Sequence, residues 1–393
     1  MYKNLVGTLP RYLHNIIINL KKGNISNSIL IVFSGLLGDG VLALNMIQSL
    51  TKYYIIKRKI VYIVARSNVI ELFKIGGIDN RVKLVDVDLK KYCIDGRYYC
   101  EINRSILSEY FDTVIFPQQS ITSIFVALNV KARETIAVLD RTQVRNKTIK
   151  NILDKMGYTK RLYVENFCNI LIRFQRLSNY ICNVDEIAKT PRLHIEECNE
   201  NEIGKKSHYV VLTPYASDGF REWDIIKYKQ LTDWILKLGY KVVFSVMEAK
   251  GDLTEIVKKY PRDKVSISQH TSLVEMLLLI KNATLLIGAD SAPIHLASSL
   301  GTQAVCIQTG RDGEQLYPYR AIRSDGTKYP ICVQTKAKAC FGCHIRFGIE
   351  GFGNSDCMRQ KKLGKKSLCV EEITVGQVYD RVKEILTDES IIK

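Results

Sequence analysis

The segment Gly288-Ala289-Asp290-Ser291-Ala292-Pro293-Ile294-His295 gathers a carboxylate, a hydroxyl and an imidazole beside a glycine and a proline. Its surroundings fix where it sits. Thr284-Leu-Leu-Ile-Gly288 is a short continuous apolar run, which reads as a strand covered on both faces. Ser291 is a good N-cap and Pro293 suits a first helical turn. Ile294, Leu296, Ala297 and Leu300 give a helical apolar stripe that Gly301 is placed to end. Asp290, Ser291 and His295 are therefore expected where a parallel strand hands over to a helix. Unpaired N–H groups and the positive end of the helix dipole favour phosphate there.

Other polar residues occupy equivalent places. Asp39 stands between Gly38 and Gly40 after the apolar run Ile29-Leu-Ile-Val-Phe33. Two loop glycines allow a tight turn that presents one carboxylate, either as a general base toward an acceptor hydroxyl or as the cap of a helix starting near Val41. The loop lacks the Gly-Lys-Ser/Thr of a Walker A motif and does not fit Gly-x-Gly-x-x-Gly, which argues against an ATPase or a nicotinamide enzyme. In Thr213-Pro-Tyr-Ala-Ser217-Asp-Gly-Phe-Arg221-Glu-Trp223, Thr213 and Ser217 can donate to phosphate oxygens and Arg221 can fork onto a diphosphate. The competing reading has Arg221 and Trp223 only packing and capping the next helix. Glu248 follows the next strand, where an acidic residue can bond ribose hydroxyls or stay an exposed loop carboxylate.

These loops need strands and helices in alternation, and the sequence supplies them. Strands are expected at Ile29–Phe33, Lys59–Val64, Val82–Val87, Thr113–Phe116, His208–Thr213, Tyr240–Val246, Thr284–Gly288 and Gln303–Ile307. Helices are expected at Val41–Tyr54, Val69–Lys74, Ile225–Leu238, Asp252–Lys259 and Leu273–Lys281. The class is α/β, with two Rossmann-like doubly wound domains facing a cleft. The expected divisions are an N-terminal extension (1–28), a first domain (29–185), a polar linker (186–206), a second domain (207–330) and a cysteine-rich tail with a C-terminal helix (331–393).

Length suits two cores, and 46% hydrophobic residues can fill them. No apolar run reaches the roughly 18 residues of a spanning helix, and residues 1–28 lack the h-region of a secretory signal. Eleven cysteines without such a signal point to a reducing cytoplasm, where they are thiols or metal ligands and not a disulfide framework. The net charge of +17 is concentrated early, with 25 Lys and Arg against 13 Asp and Glu in residues 1–170. That half is expected to meet an acidic glycan or an anionic lipid surface, or simply to be a solvated basic face. Basic residues are not interleaved with aromatics as base stacking needs, so no nucleic acid partner is expected. Residues 11–22 can form an amphipathic helix, for a membrane surface or for docking on their own domain.

Taken in order, Gly38-Asp39, the Ser217–Trp223 loop and Asp290–His295 resemble the ADP-heptose:lipopolysaccharide heptosyltransferases of glycosyltransferase family 9. Glu109–Ile115 and Leu296–Thr302 are similar to two further segments of that family, so the likeness runs from about Ile29 to Val382. The resemblance implies a GT-B architecture, an N-terminal acceptor domain, a C-terminal nucleotide-sugar domain and inverting transfer that requires no cofactor. It implies Asp39 as general base, with Ser217, Arg221, Glu248, Asp290, Ser291, Ala292 and His295 around the donor. Ala292 stands where the family usually has Gly, Asn45 where it has Pro, and Arg221 where Lys is commoner.

Cys340-Phe-Gly-Cys343, Cys357 and Cys369 offer four thiols, enough for a structural tetrahedral zinc or iron site or simply free thiols in a loop. Autotransporter heptosyltransferases, which glycosylate proteins and bind iron, look similar in this region. The expected function is transfer of a sugar, heptose by resemblance, to a lipopolysaccharide core or related glycan at the inner face of the cytoplasmic membrane. The alternatives are a protein heptosyltransferase and a non-catalytic polyanion or membrane binder on the same fold.

Overall fold

The structure is a computed structural model. It describes residues 25–107, 109–118, 120, 123, 126–127, 129–140, 158–165, 168–195, 207–312, 316, 329–335, 342, 357, 360 and 363–387. The expected amphipathic helix at 11–22 lies outside them. The chain divides into two compact units, Met1–Cys168 with Ile172–Ile187, and Asn169–Leu171 with Ala188–Lys393.

The first unit runs β1 (Ser28–Val32), α1 (Leu37–Ile56), β2 (Ile60–Ala65), α2 (Ser67–Ile75), β3 (Lys83–Asp86), α3 (Leu89–Ile94), α4 (Gly96–Ile102), β4 (Tyr110–Phe116), β5 (Lys131–Asp140), β6 (Lys160–Val164) and α5 (Ile170–Cys182). Its six strands are parallel in the order β3-β2-β1-β4-β5-β6. Ser-Ile-Leu-Ile-Val of β1 is buried throughout, as a central strand covered on both faces must be.

One expected boundary is corrected. The first helix begins at Leu37, not near Val41, so Gly38, Asp39 and Gly40 belong to its first turn and not to a loop. The Asp39 side chain supplies the reason, since its Oδ2 accepts the Leu36 N–H at 2.9 Å and completes half of a capping box. Gly40 packs closely: a Cβ there would lie 3.2 Å from Leu72 and Val69 of α2.

The second unit repeats the plan with β7 (Ser207–Thr213), α6 (Ile225–Lys237), β8 (Lys241–Val246), α7 (Gly251–Val257), β9 (Val265–Gln269), α8 (Leu273–Lys281), β10 (Ala283–Ala289), α9 (Ala292–Leu300), β11 (Gln303–Ile307), β12 (Ile331–Val333), α10 (Leu368–Glu371) and α11 (Val375–Thr387). Its strands are also parallel, in the order β12-β11-β10-β7-β8-β9. Gly239 and Gly301 end α6 and α9 with φ of 87° and 77°, a conformation that side chains with a Cβ resist. Val378, Val382, Ile385 and Leu386 of α11 join the core of this unit, and Trp223 Nε1 donates to the Ile373 carbonyl at 2.9 Å.

Candidate active site

In each sheet the first strand of its unit lies between the second and the fourth. Successive crossovers leave it in opposite directions, and the carboxyl ends of β7 and β10, and of β1 and β4, flank the crevice where open α/β sheets take ligands.

In the second unit, Gly288 of β10 is paired in register with Thr213 of β7. A Cβ on Gly288 would lie 1.8 Å from Thr213 Oγ1, so only glycine lets the two strand ends close this far. Thr213 is buried, and its Oγ1 has no hydrogen-bond partner among the described residues. An orphaned hydroxyl costs free energy unless a ligand or water accepts from it.

Arg221 lies in the short 3-10 turn Gly219–Arg221 after β7 and reaches across this crevice. Its Nη1 donates to the Asp290 carbonyl at 2.6 Å and its Nη2 to Ser217 Oγ at 2.7 Å, while its buried Nε is unpartnered. The sequence suggested a fork onto a diphosphate. The fork here grips two protein oxygens instead, leaving Nε and the positive charge for a ligand.

Asp290 is 1% exposed, and its Oδ2 accepts from Thr309 Oγ1 at 3.5 Å. Ser291 is the N-cap of α9, but its hydroxyl donates back to the Ala289 carbonyl at 3.1 Å and does not cap a helical N–H. The first-turn N–H groups of α9 therefore lack a side-chain cap from Ser291. Ala292 opens α9, and His295 is buried one turn on. Burial, then the Arg221 charge, pushes the His295 imidazolium pKa down to about 3, so the ring is neutral around pH 7.

Glu248 is exposed after β8. Its neighbour Lys250 lies 4.0 Å over the Tyr215 ring and 3.3 Å from Glu222, and Glu222 also accepts the Ala216 N–H at 3.2 Å. Sequence reasoning passed over Glu222, which ties the loops after β7 and β8 together. A buried cation was also missed. Arg311 is 4% exposed, 3.6 Å from Asp218.

In the first unit, Asp39 is half-buried at the start of α1 beside the β1–β4 crevice. Gly35 is walled in: a Cβ there would meet Asp39 Cβ and Gln118 Oε1 at 2.6 Å each and Phe33 at 2.8 Å. Gln118, just past the end of β4, thus stands against the loop that leads into α1 and Asp39. Its one signal in the sequence is its place two residues past a strand end.

The cysteines fall into two pairs. Cys340 and Cys343 lie outside the described residues. Cys357 is buried against Phe220 and Leu368, and Cys369 Sγ accepts from the Gly310 N–H at 3.4 Å. The Ser367 N–H donates to the Phe220 carbonyl at 3.0 Å, and the Gly342 N–H to the Gly310 carbonyl at 2.6 Å. Both described cysteines therefore brace loops that follow β7 and β11. No group of three or more metal-ready side chains occurs among the described residues.

Comparison with known proteins bears on this geometry. A stretch of 109 residues is 33% identical to lipopolysaccharide heptosyltransferase 3 of Escherichia coli K12; it covers 27% of this chain and 32%, about a third, of that relative. The solved structure of E. coli heptosyltransferase WaaC with ADP-2-deoxy-2-fluoro heptose superposes with a TM-score of 0.61 at 13% identity, over 91% of this chain and 99% of WaaC. The iron-containing dodecameric glycosyltransferase TibC of enterotoxigenic E. coli superposes with a TM-score of 0.53 at 14% identity, over 92% of this chain and 76% of TibC. Both share the fold of two Rossmann-like halves. Residues 100–340, more than half of the chain, match the model of glycosyltransferase family 9 (heptosyltransferase), and the protein belongs to that family.

Proposed function

We propose that the protein is an inverting glycosyltransferase that moves a heptose from ADP-heptose to a lipopolysaccharide core or related glycan. The observation that carries this reading is the crevice of the second unit. There an orphaned Thr213 hydroxyl, the spare Nε and charge of Arg221, and the start of α9 surround the β7–β10 switch point. That is a donor set for a diphosphate. Glu248 is assigned to the ribose and Ser217, Asp290, Ser291, Ala292 and His295 to the walls around diphosphate and sugar. The choice of ADP-heptose leans on family membership and on the ligand of WaaC.

In the reaction, the Asp39 carboxylate takes the proton of an acceptor hydroxyl as that oxygen forms its bond to the anomeric carbon. The bond from that carbon to the diphosphate oxygen breaks on the opposite face, and its electron pair leaves with ADP. Negative charge then grows on the diphosphate, where the Arg221 charge and the N–H groups of α9 already point. The acceptor is an acidic glycolipid or glycan at the inner face of the cytoplasmic membrane. No helix of the described residues is long and apolar enough to cross a membrane.

Cys340, Cys343, Cys357 and Cys369 are assigned to a structural zinc or iron site. The fit rests on Cys357 and Cys369 bracing neighbouring loops, with soft thiolate ligands suited to either metal. Metal analysis of purified protein and of Cys357→Ala tests it, and a metal-free wild type refutes it.

The decisive experiment is a thermal-shift titration with ADP, UDP, GDP and CDP followed by transfer assays with ADP-heptose. A ligand that binds only the folded state raises the melting temperature. Selective stabilisation by ADP and transfer lost in Asp39→Asn are expected. Stabilisation by another nucleoside diphosphate moves the donor, and no response to any overturns the transferase reading.

A further inference from the structure

At the carboxyl edge of the first sheet stands an arginine that neither the sequence pattern nor the proposed donor site employs. Arg66 directly follows β2, the strand beside β1. Val32 of β1 is in register with Val64 of β2, and the Phe33 N–H donates to the Val64 carbonyl at 2.9 Å. The chain leading to Asp39 and the chain carrying Arg66 therefore leave neighbouring strands at the same level. The close contact of Gly40 with Val69 and Leu72 keeps the first turn of α1 against α2, which Arg66 precedes.

Arg66 is partly buried, and its Nε is shielded from solvent without any hydrogen-bond partner. Three other arginines of this unit are committed, Arg81 to Asp79, Arg133 to Asp112 and Arg176 to Glu165. The carboxylates at this edge are turned to other donors, Asp86 to the Ser67 hydroxyl at 2.7 Å and Asp39 to the Leu36 N–H at 2.9 Å. The Arg66 side chain does not cap α2; only its carbonyl does so, accepting from Val69 and Ile70 at 2.9 Å each. A cation drawn partly out of water with an idle N–H is costly, and an oxyanion that accepts from its planar fork removes that cost.

We infer that Arg66 is a specificity-determining residue that holds an oxyanion of the acceptor, a sugar carboxylate or a phosphate monoester, on the same sheet edge as Asp39. This rests on the transferase reading above and adds to it the feature by which an acceptor is chosen. A neutral glycan leaves the guanidinium idle, whereas an acidic one is anchored beside the general base.

The test compares wild type, Arg66→Lys and Arg66→Gln. The probe is a truncated lipopolysaccharide core oligosaccharide, intact, phosphatase-treated or carboxyl-reduced. Direct titration gives affinity and steady-state assays give KM and kcat, while the ADP-induced thermal shift reports the fold and the other unit. For wild type, removing one of the two anionic groups should weaken binding about 10- to 100-fold, and which removal does so identifies carboxylate or phosphate. Arg66→Gln should lose a similar factor on the intact probe and be indifferent to the modification. Arg66→Lys should recover part of the affinity without the bidentate contact. An unchanged ADP shift and a KM change larger than the kcat change are also expected. Wild-type transfer with Arg66→Gln as sensitive to the modification as wild type overturns the Arg66 assignment alone. Absence of transfer by wild type to any form of the probe, with ADP still bound, overturns the acceptor reading and with it this inference.

Discussion

Arg221 Nη1 donates to the main-chain carbonyl of Asp290 across 69 residues of sequence, at 2.6 Å. The contact links the loop after β7 to the loop after β10, and Nη2 extends it to Ser217 at 2.7 Å. One side chain thus sets the width of the crevice assigned to the donor. Arg221→Ala leaves the carbonyl of a residue that is 1% exposed without this donor, a loss of about 1–3 kcal/mol. ADP affinity should fall about tenfold or more. Arg221→Lys keeps the charge but cannot bridge both oxygens in a plane, so its affinity should lie between the two. Chemical denaturation and ADP titration of the three proteins check this; equal ADP affinity in all of them would refute it.

Gly288 gives a steric counterpart. A Cβ there would meet Thr213 Oγ1 at 1.8 Å and the Thr213 carbonyl oxygen at 2.9 Å. Gly288→Ala should force the ends of β7 and β10 apart, costing about 1–3 kcal/mol and weakening ADP binding. Adding Thr213→Ala removes the hydroxyl but not the carbonyl, so it should restore stability only in part. Melting temperatures of the single and double variants decide the matter, and full recovery in the double variant would place the strain in the side chain alone.

Those two relationships also mark the limit of what the residues announce. Strands β10 and β11 were legible because their apolar runs are continuous, and helix α9 because Pro293 and Gly301 bound its apolar stripe. The polar positions at strand ends followed from the alternation of strand and helix. Less legible were β5, which opens Lys131-Ala-Arg-Glu-Thr, and the edge-side strands β6 and β9, in each of which one residue is buried and the rest are exposed or half-buried. The start of α1 was misjudged because Gly38 and Gly40 look like a loop, whereas Gly40 lies in the helix and packs closely on α2. Partnerships such as Arg221 with Asp290, Glu222 with Lys250, or Gln118 beside Gly35 depend on crossovers that no local pattern encodes.

Asp39 has two separable duties, one structural and one proposed as chemical. Its Oδ2 accepts the Leu36 N–H, a bond that an amide oxygen can also accept. Asp39→Asn should therefore fold as the parent does and bind ADP unchanged, while transfer falls by a factor of about 100 or more. Asp39→Ala should lose transfer and also about 1 kcal/mol of stability with the capping contact. Substantial turnover by the Asn variant would assign the general base elsewhere.

His295 makes the stability of the second unit depend on pH. Burial and then Arg221 hold its folded pKa near 3, below the ordinary value of 6.5. Between those values the unfolded chain binds a proton that the folded chain refuses. The stabilisation is thus fully present above about pH 6.5 and declines as pH falls from there toward 3. His270, 2.7 Å from Ser245 Oγ and also lowered by burial, adds to the same trend. Denaturation measured between pH 7 and pH 4 should show a slope reduced by about one proton in His295→Gln. The variant must first be shown to retain its ADP-induced thermal shift, because the ring also packs at the start of α9. If wild type and variant lose stability in parallel, the imidazole is protonated in the folded state and the ring is open to water or to an anion. In that case the walls of the crevice are wetter, and the Arg221 charge more screened, than the buried geometry implies.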